Sequence, residues 1–118
     1  MKKLFASVLV VILIFCLAAC SQEVVKGSII RQADSGMAQL DIMPQKLVEF
    51  ADIGDMVVVT AGEFKTEMPL VDEIIAEEGK LQLFFDSNEH SLSICAYNQN
   101  FCETYNVSPD AKVKITKK

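Results

Sequence analysis

The sequence predicts a mainly β domain, a small antiparallel β-barrel of about seven strands with two short helices. Three observations predict it. Short apolar runs with period-two alternation recur along residues 25–118. Turn chemistry built on Gly, Asp, Asn, Ser and Pro separates these runs at short intervals. Two segments only carry helix-start signals, at Pro44 and at Asn100. Such spacing belongs to a compact barrel or sandwich, and no low-complexity linker interrupts it after residue 25.

Taken in order, Gly27-Ser28-Ile29-Ile30-Arg31 alternates as a first strand, Asp34-Ser35-Gly36 turns the chain, and residues 37–42 form a second strand. Pro44 suits the first position of a helix over 44–50, because its missing N–H needs no partner there. Leu47, Val48 and Phe50 form that helix's apolar side. Ile53-Gly54-Asp55 leads into Met56-Val57-Val58-Val59, the most strand-like run in the chain. Ala61-Gly62-Glu63 is a hairpin turn into a strand over 64–68. Pro69-Leu70-Val71 then extends toward an acidic segment over 72–78.

Residues 81–106 are the centre of the pattern. Leu81, Leu83 and Phe85 alternate on one face, Asp86-Ser87-Asn88-Glu89 turns, and Leu92, Ile94 and Ala96 alternate back, which predicts an antiparallel hairpin. Asn100 with Glu103 three positions on is a helix N-terminus signature, and Asn106 suits the left-handed end of that helix. Ser108-Pro109-Asp110 turns into a last strand over 111–115.

The N-terminus reads differently. Lys2 and Lys3 precede an unbroken apolar or small run over residues 4–17, which is short for a membrane span and fits the hydrophobic region of a signal peptide. It ends in Leu17-Ala18-Ala19-Cys20, which resembles the lipobox of bacterial lipoproteins. The resemblance implies a signal peptide over 1–19, a lipidated Cys20 with a short tether over 20–24, and a barrel domain over 25–118. Several acyl chains of the palmitate type, each buried CH₂ contributing about 0.8 kcal/mol, would hold such a protein stably on a membrane. Ser21 follows the Cys and no Asp does, which by the same resemblance implies the outer membrane, facing the periplasm, in a Gram-negative envelope.

Removal of Lys2 and Lys3 leaves nine basic residues against 16 acidic ones, a formal net charge of −7. That excess argues against nucleic acid and against anionic headgroups as partners, so the acyl anchor and not electrostatics is expected to hold the protein. With Cys16 in the signal peptide and Cys20 acylated, Cys95 and Cys102 remain. Outside the cytoplasm two leftover thiols commonly pair. They are expected either as a disulfide or as two buried thiols filling small gaps.

Chemistry-bearing patterns are sparse. His90, the sole histidine, sits in a turn beside Glu89 without convergent ligands, so no metal site is expected. No Gly-x-Ser-x-Gly elbow and no glycine-rich phosphate loop is present, and no cofactor is expected. The run Asp72-Glu73-Ile74-Ile75-Ala76-Glu77-Glu78 reads as a solvated face rather than a cation site. Tyr97 and Phe101, near the helix mouth, could line a small cleft.

The order of short motifs carries a second resemblance. Gly27-x-Ile29 near Asp34-x-Gly36 is followed by Gly54-Asp55-x-Val57-x-Val59 and Met68-Pro69-Leu70-Val71. Gly79-x-Leu81, the Ser87-Asn88 turn, Leu92-x-Ile94 and Asn100-x-x-Glu103 complete the series. The series resembles the C-terminal domain of the S-adenosylmethionine hydroxide adenosyltransferases, a family that includes fluorinases and chlorinases. The resemblance spans nearly all of residues 25–118 and implies a β-barrel-like domain. It also implies that the larger N-terminal α/β domain, which orients water or halide in the family, is missing.

Carried over position by position, the resemblance implies a ligand cleft at Asp34, Ser87, Asn88, Tyr97 and Asn100. The family's Gly-Asn step is Gly36-Met37 here, its stacking aromatic falls near Ile74, and the hairpin turn lacks an Arg. The adenosine pocket is therefore degraded. The expected function is that of a non-catalytic lipoprotein. Its domain would serve as a binding or interaction module for an adenosine-type ligand or an envelope protein, or as a purely structural envelope component.

Overall fold

The computed structural model describes residues 23–33 and 35–118. The expected signal peptide over 1–19, Cys20 and Asp34 lie outside the described residues. Seven strands are formed: β1 (Val24–Gln32), β2 (Ala38–Leu40), β3 (Met56–Ala61), β4 (Phe64–Val71), β5 (Leu81–Asp86), β6 (Ser91–Ala96) and β7 (Lys112–Lys117). Two short helices, α1 (Pro44–Val48) and α2 (Phe101–Thr104), follow β2 and β6. The strands close into a barrel in the order β1-β2-β6-β5-β4-β3-β7. The mainly β class, the strand count and the two helices agree with the sequence expectation.

One wall departs from it. Every contact is antiparallel except β4 with β5, which are parallel over two residue pairs, Leu70↔Leu83 and Val71↔Phe84. The acidic segment after Val71 does not turn a hairpin. It carries the chain along the outside of the barrel to the end where β4 began, so β5 runs in the same direction as β4. Pro69 lies inside β4, opposite Met56. β4 pairs with β5 only from Leu70 onward, so no ladder bond on that side requires an N–H from position 69.

Closure depends on β1, which changes partners along its length. Residues 24–28 pair with β7, and residues 29–32 pair with β2 across a bulge between Ile29 and Arg31. The bulge bends the strand and turns Ile30 outward, where it is largely exposed. At Gly27 a Cβ would meet Asp41 and Ile42, so only glycine lets the β2–α1 connection lie across the strand there. Asp41 Oδ1 accepts from Ser28 N at 2.7 Å at the same crossing.

Inward side chains fill the barrel: Ile29, Leu40, Val57, Val59, Met68, Leu70, Leu83, Leu92, Ile94 and Ile115 are all buried. Each end is plugged by a helix. α1 inserts Leu47, followed by Ala51, at one end, and α2 inserts Phe101 at the other. The caps follow their sequence signatures. Asn100 Oδ1 accepts from Glu103 N at 2.9 Å. Asn106 adopts φ of 55° and Val107 N donates to Cys102 O, a Schellman close with Val107 buried behind it. α1 stops at Val48, short of the expected 50, and Val48 faces solvent rather than the core. A helix this short has a narrow inner face, which Pro44 and Leu47 occupy.

Candidate functional site

The two barrel ends differ in construction. At the α2 end lie the β1–β2 turn, the Gly62-Glu63 turn between β3 and β4, and the link from β6 into α2. Phe101 is fully buried there, edge-on to Phe64 with centroids 5.7 Å apart and 5.5 Å from the ring of Tyr105. Its N–H donates to Gly36 O at 3.0 Å. Gly36 has φ of +93°, and a Cβ there would sit 2.2 Å from Gln99 O. The turn and the helix entry are thus packed backbone to backbone. Gln32 extends the seal, since its Oε1 accepts from Cys102 N and its Nε2 donates to Met37 O. Phe101, readable from sequence as core or as the lining of a small cleft, is core here and forms the plug. Beside it Phe64, Tyr105 and Asn106 line an open depression of about 430 Å³.

The residues expected to share a ligand cleft do not converge. Ser87 and Asn88 lie in the β5–β6 turn at the α1 end, exposed, with Asp86 Oδ1 accepting from Asn88 N at 3.0 Å. Tyr97 and Asn100 follow the far end of β6, a six-residue strand that separates the two pairs by about 20 Å. Asn100 is engaged as the α2 cap, and Tyr97 exchanges backbone bonds with Gly79 and Lys80. Asp34 lies outside the described residues, between Ala33 and the Ser35-Gly36 turn that packs against Asn100's helix. The Gly36 neighbourhood and Asn100 therefore share one end, and Ser87 and Asn88 occupy the other.

Cys95 and Cys102 are both free and buried. Cys95 lies on the outer face of the wall, opposite Gln82, while Cys102 belongs to the interior cluster. A disulfide would have to cross the wall, so of the two expectations the gap-filling thiols describe this structure. Burial raises both thiol pKa values, which keeps the groups protonated and unreactive.

Over Cys95 and Gln82 runs the crossover segment. Gln82 is fully buried, and its Oε1 accepts from Ile75 N at 2.7 Å while its Nε2 donates to Ile75 O at 3.1 Å and Lys80 O at 3.3 Å. One side chain thereby fastens the segment the sequence presents as a solvated acidic face. The carboxylates themselves do point to solvent. No group of three or more His, Cys, Asp or Glu positioned for a metal occurs among the described residues.

At the α1 end Asp55 Oδ2 accepts from Asp52 N at 2.9 Å and pairs with Lys117 Nζ at 3.4 Å. The backbone hydrogen bond, aided by the lysine, holds the Asp55 carboxyl below its ordinary pKa. This knot fixes the approach to β3, around which Met43, Val48, Ile53 and Met56 stay exposed. Sequence reasoning missed that grouping. The four residues lie within residues 43–56 but on a helix flank, a turn and a strand start, and each alone reads as core.

Comparison with known proteins gives a fold relative. No family model and no curated protein matches the chain. Among solved structures, an uncharacterized conserved protein from Thermotoga maritima superposes with a TM-score of 0.70 at 17% identity, over 80% of this chain and 36% of that one. The two share the fold, and the chain spans about a third of the length of that protein.

Proposed function

We propose that the chain is a membrane-anchored extracytoplasmic lipoprotein of the bacterial envelope. Acyl chains on Cys20 hold it, and its barrel is a non-catalytic binding or interaction module related to the C-terminal domain of the S-adenosylmethionine hydroxide adenosyltransferases. The carrying observation is Leu17-Ala18-Ala19-Cys20 at the end of an apolar run, four residues before β1 begins. The family relation is supported by the motif order and by a closed barrel that corresponds to part of a longer chain, as a C-terminal domain does in a two-domain enzyme. The non-catalytic reading is supported by Met37 and Ile74 at positions where the family carries Asn and an aromatic.

One observation favours a protein partner over a nucleoside within this reading. Of the carried-over polar residues, Ser87 and Asn88 lie at one end of a plugged barrel and Tyr97 and Asn100 at the other, so these four form no common concavity.

The test is incubation of the full chain with S-adenosylmethionine, read both as adenosine formed and as a thermal shift. The expected result is no turnover and no shift at millimolar ligand. A ligand at 100 times its Kd would add about 2.7 kcal/mol, several degrees for a domain of this size. Adenosine formation would overturn the non-catalytic reading. A dose-dependent shift abolished by Asp34→Ala would restore the nucleoside as the ligand.

A further inference from the structure

Six large hydrophobic side chains are exposed among the described residues: Val24, Ile30, Met43, Val48, Ile53 and Met56, between 39 and 60% accessible. Ile30 is turned out by the β1 bulge, up the wall. The other five belong to the α1 end. Val24 opens β1, Met43 and Val48 flank α1, Ile53 lies in the turn before β3, and Met56 opens β3. Their proximity follows from the pairing. Val24 lies opposite Thr116 of β7, and the other side of Thr116 faces Val58, two residues from Met56. Lys46, Glu49 and Phe50 beside Val48 line one depression with Glu23, Val24 and Val25.

We propose that this apolar end is a bilayer-contact surface, inserted into the headgroup and acyl boundary of the membrane that holds the anchor. The inference rests on the proposed acylation of Cys20. Chain length then makes the choice of face. From Cys20 to Val24 the chain reaches about 14 Å at full extension. β1, with nine residues, runs about 30 Å from the α1 end toward the α2 end. An anchor on so short a tether brings the α1 end to the lipid surface and leaves the Phe101 end beyond it.

Charge at this end is mixed and builds no basic surface for electrostatic adhesion. Lys117 is paired with Asp55 and Lys118 with Glu67, Lys26 and Lys46 share their depression with Glu23 and Glu49, and the β5–β6 turn adds the exposed Glu89. Side chains such as Met, Val and Ile on a short helix and adjoining loops gain by burial a few ångströms into the acyl boundary. Five large apolar side chains exposed at one end are many for a domain this small.

The chain contains no Trp, so a single introduced indole reports its own surroundings. The acylated protein expressed from all 118 residues is prepared as Met43→Trp, Ile53→Trp and, as the control on the wall, Ile30→Trp. Each is reconstituted in phosphatidylcholine vesicles whose acyl chains are either brominated or plain. The proposal expects Met43→Trp and Ile53→Trp to emit at shorter wavelength in vesicles than in detergent-free solution of the unacylated chain, and to lose most of that emission to the bromines. Ile30→Trp is expected to show neither effect. Vesicle-bound protein whose Met43 and Ile53 indoles stay unquenched overturns the proposal while leaving the anchor intact. Blue-shifted emission without bromine quenching also overturns it, since a second copy of the protein would then cover the end. An intact mass without acyl chains, together with protein that fails to float with vesicles, overturns the anchor reading and this proposal with it.

Discussion

Phe101→Ala is expected to destabilise the domain by about 3–5 kcal/mol, the usual cost of truncating a fully buried Phe. The side chain is completely enclosed, contacts the rings of Phe64 and Tyr105, and closes the α2 end of the barrel. No neighbouring helix can collapse into the space, because α2 has four residues and is tied at both ends, by Asn100 and by Asn106. Native domains hold only about 5–15 kcal/mol in total, so the melting temperature should fall by about 15–25 °C. Phe101→Leu, which refills most of the volume, should recover more than half of the loss. Chemical denaturation of both variants checks this. A Phe101→Ala domain melting within a few degrees of the parent would show that the helix does not plug the barrel.

Gln82→Leu is the second large effect, expected at about 2–4 kcal/mol, because one partner of several buried hydrogen bonds is removed while the others remain. Leu fills nearly the same space, so the loss reports hydrogen bonding and not a cavity. The parallel contact between β4 and β5 spans two residue pairs, as short as the β2–β6 seam, and Gln82 fastens the segment that crosses outside it. Hydrogen exchange should therefore accelerate first at Ile75 and along β5, and least at β3 and β7. An unchanged exchange rate at Ile75 would show that the crossover is held by other contacts.

Much of this fold is legible in local sequence. The Leu81–Ala96 hairpin follows from two alternating runs around Asp86-Ser87-Asn88, and the Asn100 cap and Asn106 close follow from side-chain chemistry that acts within a few residues. What local pattern cannot carry is the ring of neighbours. β1 with β7 and β2 with β6 are pairings between distant segments, fixed by closure of the barrel. Alternation also misassigns solitary apolar residues in short elements. Val48 obeys helical spacing with Leu47, yet a five-residue helix packs one of them inward and leaves the other outside.

The proposed site was less legible for the same reason. Asp34, Ser87, Asn88, Tyr97 and Asn100 can be ordered along the sequence, but the direction of β6 separates the hairpin turn from the helix start. The thiols of Cys95 and Cys102, seven positions apart, fall on opposite sides of one wall. The apolar end emerges only when the ends of β1 and β3 and both flanks of α1 are brought together. Four of its five residues fall within 43–56, but no single periodicity spans that helix, turn and strand start.

The central claim is that Cys20 carries this barrel on a membrane. The direct measurement is the intact mass of the membrane-extracted chain after expression of all 118 residues in a bacterium, beside Cys20→Ser. The account predicts a polypeptide that begins at residue 20 and carries a diacylglyceryl group on its sulfur, recovered with membranes, and a Cys20→Ser chain that lacks both cleavage at that site and the added mass. A mature chain of unmodified mass, or one still beginning with Met1, would contradict it.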